Sequence, residues 1–186
     1  VTLEDEKTIG DVLRSFEKTC EDNKMATVAI KIDSKVVSAE DFDTYLSKKL
    51  EPKTKIETTV ISENDVTASL CSLIEPFEGI VEEIKNIPLQ LQKGEDSQAN
   101  KTIAALADII DQFCHSSTYC AVFPEKFAIL KIDGKNIIEF FNDFSQILGD
   151  FKDALENKDT VTIGDLAEYE ICPRITAIVE ALKKLK

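Results

Sequence analysis

Apolar residues recur at helical spacing along the C-terminal part of the chain. One stripe consists of Val66, Leu70, Leu73, Phe77, Ile80, Ile84, Ile87 and Leu91. Its members are alternately four and three residues apart, which keeps one face of a helix apolar. Because such a face is stable only when other elements cover it, we predict a mostly antiparallel four-helix bundle over residues 63–186. Pro76 within the stripe predicts a kink in one continuous helix, and Pro88 predicts its end.

The predicted helix over residues 135–157 carries two apolar stripes. The main stripe consists of Ile137, Phe141, Phe144, Leu148, Phe151 and Leu155. A second stripe consists of Phe140, Ile147 and Ala154, spaced by seven. A single core seam does not need the second stripe, so we predict that these three residues form an interface with a third helix, the N-terminal domain or a partner chain. We favour a contact within the chain, because it carries no cost of association.

Residues 1–62 follow a different pattern and are predicted to form a small α+β domain. Residues 27–32 and 54–61 alternate polar and apolar side chains, as strands do, and residues 1–3 and 36–37 add two short strand signals. Thr8 and Ser38 each stand three residues before an aspartate, which is typical of a helix N-terminus. The predicted order of elements is β-α-β-β-α-β, and the predicted second domain begins at residue 63.

The start of this domain reads Val-Thr-Leu, an acidic turn, and then Thr-Ile-Gly-Asp-Val-Leu at 8–13. This arrangement resembles the second strand and helix of β-grasp domains, and it implies a β-grasp-like fold. Sulfur-carrier members of that fold act through a C-terminal Gly-Gly. The sequence here ends Lys-Lys-Leu-Lys, so the resemblance does not imply the carrier activity.

Two short strings recur along the chain. Thr-Ile-Gly-Asp occurs at 8–11 and 162–165, and we interpret it as a helix start used twice. Lys-Ile-Asp-(Ser/Gly)-Lys occurs at 31–35 and 131–135, and we interpret it as a turn. The order of the two strings is inverted between the copies, so they do not indicate a duplicated repeat.

The chain of 186 residues is strongly acidic, with 35 acidic and 22 basic side chains and a formal net charge of −13. An acidic protein repels phosphate backbones and anionic lipid surfaces, so we expect neither nucleic acid nor a membrane as its partner. Its five cysteines are dispersed and contain no C-x-x-C pair. This usage favours reduced thiols in a cytoplasmic protein over a disulfide framework.

The sequence offers little metal or nucleophile chemistry. It has one histidine, His115, so the two Glu-x-x-His motifs of a di-iron bundle are excluded. Cys114 and Cys120 flank that histidine but do not share a helical face, and a structural zinc site needs four ligands. The six glycines form no phosphate-binding loop. We therefore expect no metal, no cofactor and no catalytic residue.

One string, Thr162 to Arg174, combines carboxylates with a tyrosine and an arginine. Its candidate binding residues are Asp165, Glu168, Tyr169 and Arg174. Clustered groups of this kind are able to bind a ligand or to exchange protons. Arg174 lies about one turn beyond Glu170, which favours an ion pair. The alternative is a capped, Pro-kinked helix with a solvated acidic face.

The favoured function is a non-catalytic protein–protein interaction module, such as an acidic cytosolic adaptor or chaperone-like protein. The alternative is a ligand-binding or enzymatic protein with a pocket between the α+β domain and the bundle, because pockets collect at domain interfaces. Catalysis is the less favoured of the two. The pattern of residues does not identify the partner.

Overall fold

A computed structural model of the protein describes residues 5–186. The chain divides into two compact units, residues 1–65 and 66–186. The predicted α+β class is confirmed, because a three-stranded antiparallel sheet and a helical bundle are both present. The strand predicted at residues 1–3 lies outside the described part of the chain.

The N-terminal unit packs helices against the sheet. Its elements are α1 (Ile9–Asp22), β1 (Met25–Ile32), β2 (Lys35–Val36), α2 (Phe42–Leu46) and β3 (Ile56–Ser62). The strands are antiparallel in the order β2-β1-β3, and Ile9, Leu13 and Ile32 form the centre of the core. Thr8 begins α1 with the predicted reciprocal cap to Asp11. The helix predicted to start at Ser38 begins only at Phe42, and the Ser38 hydroxyl accepts a hydrogen bond from the Asp41 N–H.

The repeated string at 31–35 and 131–135 forms the same turn in both units. Its central residues have positive φ angles: 48° and 68° for Asp33 and Ser34, and 51° and 76° for Asp133 and Gly134. The flanking residues pair as antiparallel bridges, Ile32 with Lys35 and Ile132 with Lys135. Two positive φ angles in a two-residue loop are the geometry of a tight hairpin. The interpretation of this string as a turn is confirmed.

The C-terminal unit consists of helices. They are α3 (Glu63–Ser72), which begins in the first unit, α4 (Ile74–Gln92), α5 (Asp96–Thr118), α6 (Pro124–Phe127), α7 (Ile137–Glu156), α8 (Thr160–Asp165) and α9 (Cys172–Lys183). A 3₁₀ turn (Tyr119–Val122) follows α5, and a π-helical segment (Leu166–Ile171) joins α8 to α9. α4 packs against α5, α8 and α9, whereas α7 packs against α8 and the π-helical segment.

The first predicted stripe is buried from Val66 to Ile87, but the predicted continuous helix is wrong. The helix is interrupted at Leu73, between α3 and α4, and Pro76 lies in the first turn of α4. A proline is tolerated there, because the first-turn N–H groups have no partner within the helix. Pro88 does not end α4, which continues to Gln92.

The second copy of Thr-Ile-Gly-Asp does not start a helix, so that interpretation is wrong. α8 begins at Thr160, and the Asp159 carboxylate accepts a hydrogen bond from the Thr162 N–H. The glycine of the string allows close approach in the first copy only. A Cβ on Gly10 would lie 2.7 Å from the Leu46 carbonyl oxygen, and one on Gly164 would lie 3.4 Å from Pro88 Cγ.

Burial on α7 does not follow the two predicted stripes. Phe140 and Ala154 of the second stripe are buried within the described chain, together with Phe144 and Phe151. Ile147 is half-buried. The remaining members of the predicted main stripe, Ile137, Phe141, Leu148 and Leu155, are also only half-buried. α7 therefore buries a face that combines members of both predicted stripes, and it leaves the other members of the main stripe partly accessible.

Candidate functional site: an apolar groove between α5 and α7

A groove of about 400 Å³ lies between α5 and α7 within the helical unit. It is lined by Ile103, Leu106, Ala107, Ile110, Asp111, Cys114, Leu148, Phe151, Lys152 and Leu155. Only two of these residues, Asp111 and Lys152, carry a charge. An accessible cleft with predominantly apolar walls is the usual form of a binding surface.

The α5 wall exists because this helix has two adjacent apolar faces. Ala99, Leu106 and Phe113 are buried, and α5 packs against α4. Ile103 and Ile110 are half-buried and line the groove. A helix with one apolar stripe buries it against a single neighbour, so the second face needs another cover.

The α7 wall repeats this arrangement. Phe144 and Phe151 are buried, and Leu148 and Leu155 are half-buried in the groove. The two leucines are seven residues apart and share one face of the helix. The α5 wall from Ile103 to Cys114 is about 16 Å long at the rise of an α-helix. Two helical walls of this kind resemble a coiled-coil seam that lacks one helix.

Of the two charged residues that line the groove, one has an ion-pair partner and the other has none within residues 5–186. Lys152 forms an ion pair with Glu156 at 3.6 Å. Asp111 takes part in none of the ion pairs found among residues 5–186. The groove therefore presents a neutralised pair on α7 and an unpaired carboxylate on α5.

Cys114 is the one thiol that lines this groove, and its environment does not activate it as a nucleophile. Burial, followed by the nearby Asp111 charge, raises the pKa of Cys114 above its usual value of 9.0. A thiol with a raised pKa stays protonated at neutral pH, and the protonated form is a poor nucleophile. The groove therefore lacks an activated cysteine and is suited to binding.

The candidate residues of the 162–174 string lie apart from the groove. Asp165 and Glu168 are exposed, and Tyr169 is 65% exposed. Arg174 forms an ion pair with Glu170, as its spacing from that residue predicts. Glu168 lies near Lys85 on α4 and contributes to raising the pKa of that lysine, after the larger effect of Glu82. Within the described chain, no hydrogen bond or ion pair joins the four candidate residues to one another.

Pro173 accounts for the irregular backbone of this string. Proline has no N–H, so the i→i−4 hydrogen-bond pattern is interrupted next to it. The Cys172 N–H donates to the Ala167 carbonyl oxygen, five residues back, which is π-helical pairing. The Arg174 guanidinium donates to the Glu170 carbonyl oxygen at 2.9 Å. The arginine therefore has a structural role in closing this turn.

Other classes of site are not evident in residues 5–186. No three His, Cys, Asp or Glu side chains within that range are grouped so that they could hold a metal ion. Within the same range, no helix combines the length and the apolar character that crossing a membrane requires.

A second cleft, of about 280 Å³, lies in the N-terminal unit. It is lined by Val12, Leu13, Phe16, Leu50, Thr54, Ile56 and Thr58.

Family comparison covers both units. Residues 69–181 match the family described as Domain of unknown function (DUF8042). The chain belongs to this family. Both walls of the groove, residues 103–155, lie inside the DUF8042 match. Residues 1–62 match a second family, described as the TP0873 N-terminal domain.

A relative from Treponema pallidum (strain Nichols) is similar to almost the whole chain. It is 24% identical over 180 residues, which cover 97% of this chain and 90% of the relative, and it is described as an uncharacterized protein. No solved structure matches the chain. The DUF8042 description states no function.

The groove does not follow from the apolar pattern alone, although part of its signal is present. The pattern predicts two stripes on α7, but on α5 it places Ile103 and Ile110 in a single stripe with Leu106 and Phe113. Residues 103, 107, 110 and 114 therefore do not stand out as a second face of that helix. This face has the spacing four, three and four. Two neighbouring helices that each carry a surplus apolar face are the signal that indicates such a groove.

Proposed function

We propose that this protein is a non-catalytic interaction module of adaptor or chaperone-like type. Its helical unit receives a helix of a partner protein in the groove between α5 and α7. The observation that supports this proposal is the pair of half-buried apolar walls, with Ile103 and Ile110 on one side and Leu148 and Leu155 on the other.

A helix is the occupant that suits these walls best. Amphipathic helices place residues i, i+3, i+4 and i+7 into grooves between helices. The groove-lining residues of α5 follow the same spacing. The side chains of a docked helix therefore interdigitate with them, as those of a third helix do in a coiled coil. A wall of about 16 Å accommodates roughly three helical turns.

The proposed module belongs in the cytoplasm. All five cysteines are free, and Cys20, Cys120 and Cys172 are buried. Free thiols persist where the compartment is reducing.

Selection of helical peptides tests the proposed function. A displayed library of amphipathic helices is selected on the full-length protein, and each recovered peptide is measured against Leu148→Asp and Ile138→Asp variants. Both changes place a carboxylate on α7, but Ile138 is 74% exposed and does not line the groove. We expect Leu148→Asp to weaken binding at least tenfold and Ile138→Asp to leave it unchanged.

Amide chemical shifts locate the bound peptide. The proposed function requires that the shifts concentrate on α5 and α7. Peptides that bind the Leu148→Asp variant as tightly as wild type, or shifts that concentrate outside these helices, contradict the proposal.

A further inference from the structure

We infer that the helix bound in this groove is basic, with Lys or Arg along the flank that passes Asp111. This inference rests on the proposed function and specifies the partner. Its basis is the charge of the two helices that form the groove.

The two helices are acidic as a whole, although the groove lining itself holds one carboxylate and one ammonium group, Asp111 and Lys152. α5 carries three acidic and one basic side chain, and α7 carries five and one, which gives a net charge of −6 for the two helices. The eight carboxylates are all exposed. Exposed charge of one sign raises the association rate of a partner of opposite charge and disfavours one of like charge.

Asp111 adds a local contact to this general field. It lines the groove and has no ion-pair partner in the described chain, whereas Lys152 is already paired with Glu156. A basic side chain at the edge of a docked helix gives Asp111 a partner. A glutamate at the same position would face an uncompensated carboxylate, which is destabilising.

The same charges disfavour two other occupants. A second copy of this chain carries the same net charge of −13, so two grooves repel one another electrostatically. A fatty acid would bring its carboxylate next to two helices that carry a surplus of carboxylates. The apolar lining therefore selects an amphipathic helix, and the acidic charge of α5 and α7 together with the unpaired Asp111 selects the charge of that helix.

Three synthetic peptides test whether binding depends on the charge of the peptide as well as on its apolar face. Each has 18 residues and the same leucines at i, i+4 and i+7, and the polar positions are all Lys and Arg, all Glu, or all Gln and Ser. Binding to the full-length protein is measured by fluorescence anisotropy at low and at physiological salt. We expect the basic peptide to bind at least tenfold more tightly than the acidic one, with a difference that shrinks as salt increases.

Two charge-reversal variants separate the local contact from the overall charge. Asp111→Lys and Asp150→Lys change the net charge equally, and Asp150 is exposed on α7 but does not line the groove. We expect Asp111→Lys to weaken binding of the basic peptide several-fold more than Asp150→Lys does. Equal effects of the two variants overturn the role of Asp111.

Cys114 reports directly whether the groove is covered. It is half-buried in the groove, so a docked peptide slows its alkylation, which mass spectrometry measures while the protein stays folded. We expect protection of Cys114 by the basic peptide and none in the Leu148→Asp variant.

The remaining outcomes are distinguishable. If all three peptides bind equally and Leu148→Asp abolishes binding, the charge inference fails and the proposed function stands. If none binds, or if the basic peptide binds Leu148→Asp as well as wild type, both fail. If light scattering shows a wild-type dimer that Leu148→Asp dissociates, the groove is a contact between copies and the inference is overturned.

Discussion

The rings of Phe113 and Phe141 lie 5.4 Å apart between centroids, at an interplanar angle of 41°. Phe113 is fully buried on α5, and Phe141 is half-buried on α7. Phe141 precedes Leu148 by two helical turns on the same face. The aromatic contact therefore joins α5 and α7 beside the groove, and the accessible apolar walls lie beyond it.

Two adjacent phenylalanines of α7 should respond differently to truncation. Phe140 is 3% exposed, whereas Phe141 is half-buried. We expect Phe140→Ala to lower the free energy of unfolding by about 3–5 kcal/mol, and Phe141→Ala to lower it by clearly less. Urea denaturation followed by circular dichroism measures both. Equal losses would show that α7 does not distinguish its two stripes.

An aspartate at position 140 tests the burial of the Phe140 side chain more strictly than truncation to alanine does. A buried unpaired carboxylate is strongly destabilising, so we expect Phe140→Asp to abolish cooperative unfolding of the helical unit. The matched change Ile138→Asp lies at an exposed position of the same helix and should be tolerated. A Phe140→Asp protein that melts like wild type contradicts the assigned core.

Glycine substitutions distinguish close packing from helix propensity. The Cβ of Gly10→Ala would lie 2.7 Å from the Leu46 carbonyl oxygen, so α1 and α2 must separate and the N-terminal unit is destabilised. Gly149→Ala has nothing within 4 Å of its new Cβ. In a helix interior this change should stabilise the protein by up to about 1 kcal/mol. Thermal unfolding of the two variants should therefore shift in opposite directions.

The two copies of the repeated turn allow a reciprocal exchange. Ser34 and Gly134 occupy the same turn position with φ angles of 68° and 76°. A positive φ costs an L-residue about 1–2 kcal/mol and costs glycine almost nothing. Ser34→Gly should therefore stabilise its hairpin, and Gly134→Ser should destabilise the other. Hydrogen exchange of the flanking amides measures each effect, and changes of the same sign would refute the shared geometry.

The acid limb of the stability profile depends on the α1 cap. Hydrogen bonds from the Thr8 side chain and then from Arg14 hold the pKa of Asp11 at about 2, below its usual value of 3.8. A lowered pKa in the folded state contributes stability above the unfolded value, and this contribution is lost as the pH falls from 3.8 towards 2. We expect Asp11→Asn to remove that part of the pH dependence.

Carboxyl titration by NMR checks the cause of this effect. Thr8→Ala should move the pKa of Asp11 upwards, because it removes the largest contribution. The same variant should weaken the helix by about 1 kcal/mol through loss of the N-cap. An unchanged Asp11 titration in Thr8→Ala would show that Arg14 and the backbone N–H groups of Lys7 and residue 8, and not the Thr8 side chain, lower the pKa of Asp11.

Local sequence alone was sufficient for much of the fold. The apolar residues Ile171, Ile175, Ile178 and Leu182 follow helical spacing and are all buried, because one apolar face per helix leaves one way to bury it. The reciprocal cap of Ser62 and Asp65 at the start of α3 has a local cause. Its two residues lie three positions apart, so neighbouring side chains determine it.

Tertiary packing decided what the sequence left open. On α7, Phe140 and Phe141 are equally apolar, and only the helices packed against α7 select Phe140 for the core. The groove has the same origin. Its walls are encoded by Ile103, Ile110, Leu148 and Leu155, but its existence depends on the separation of α5 and α7, which is set by long-range packing and not by local periodicity.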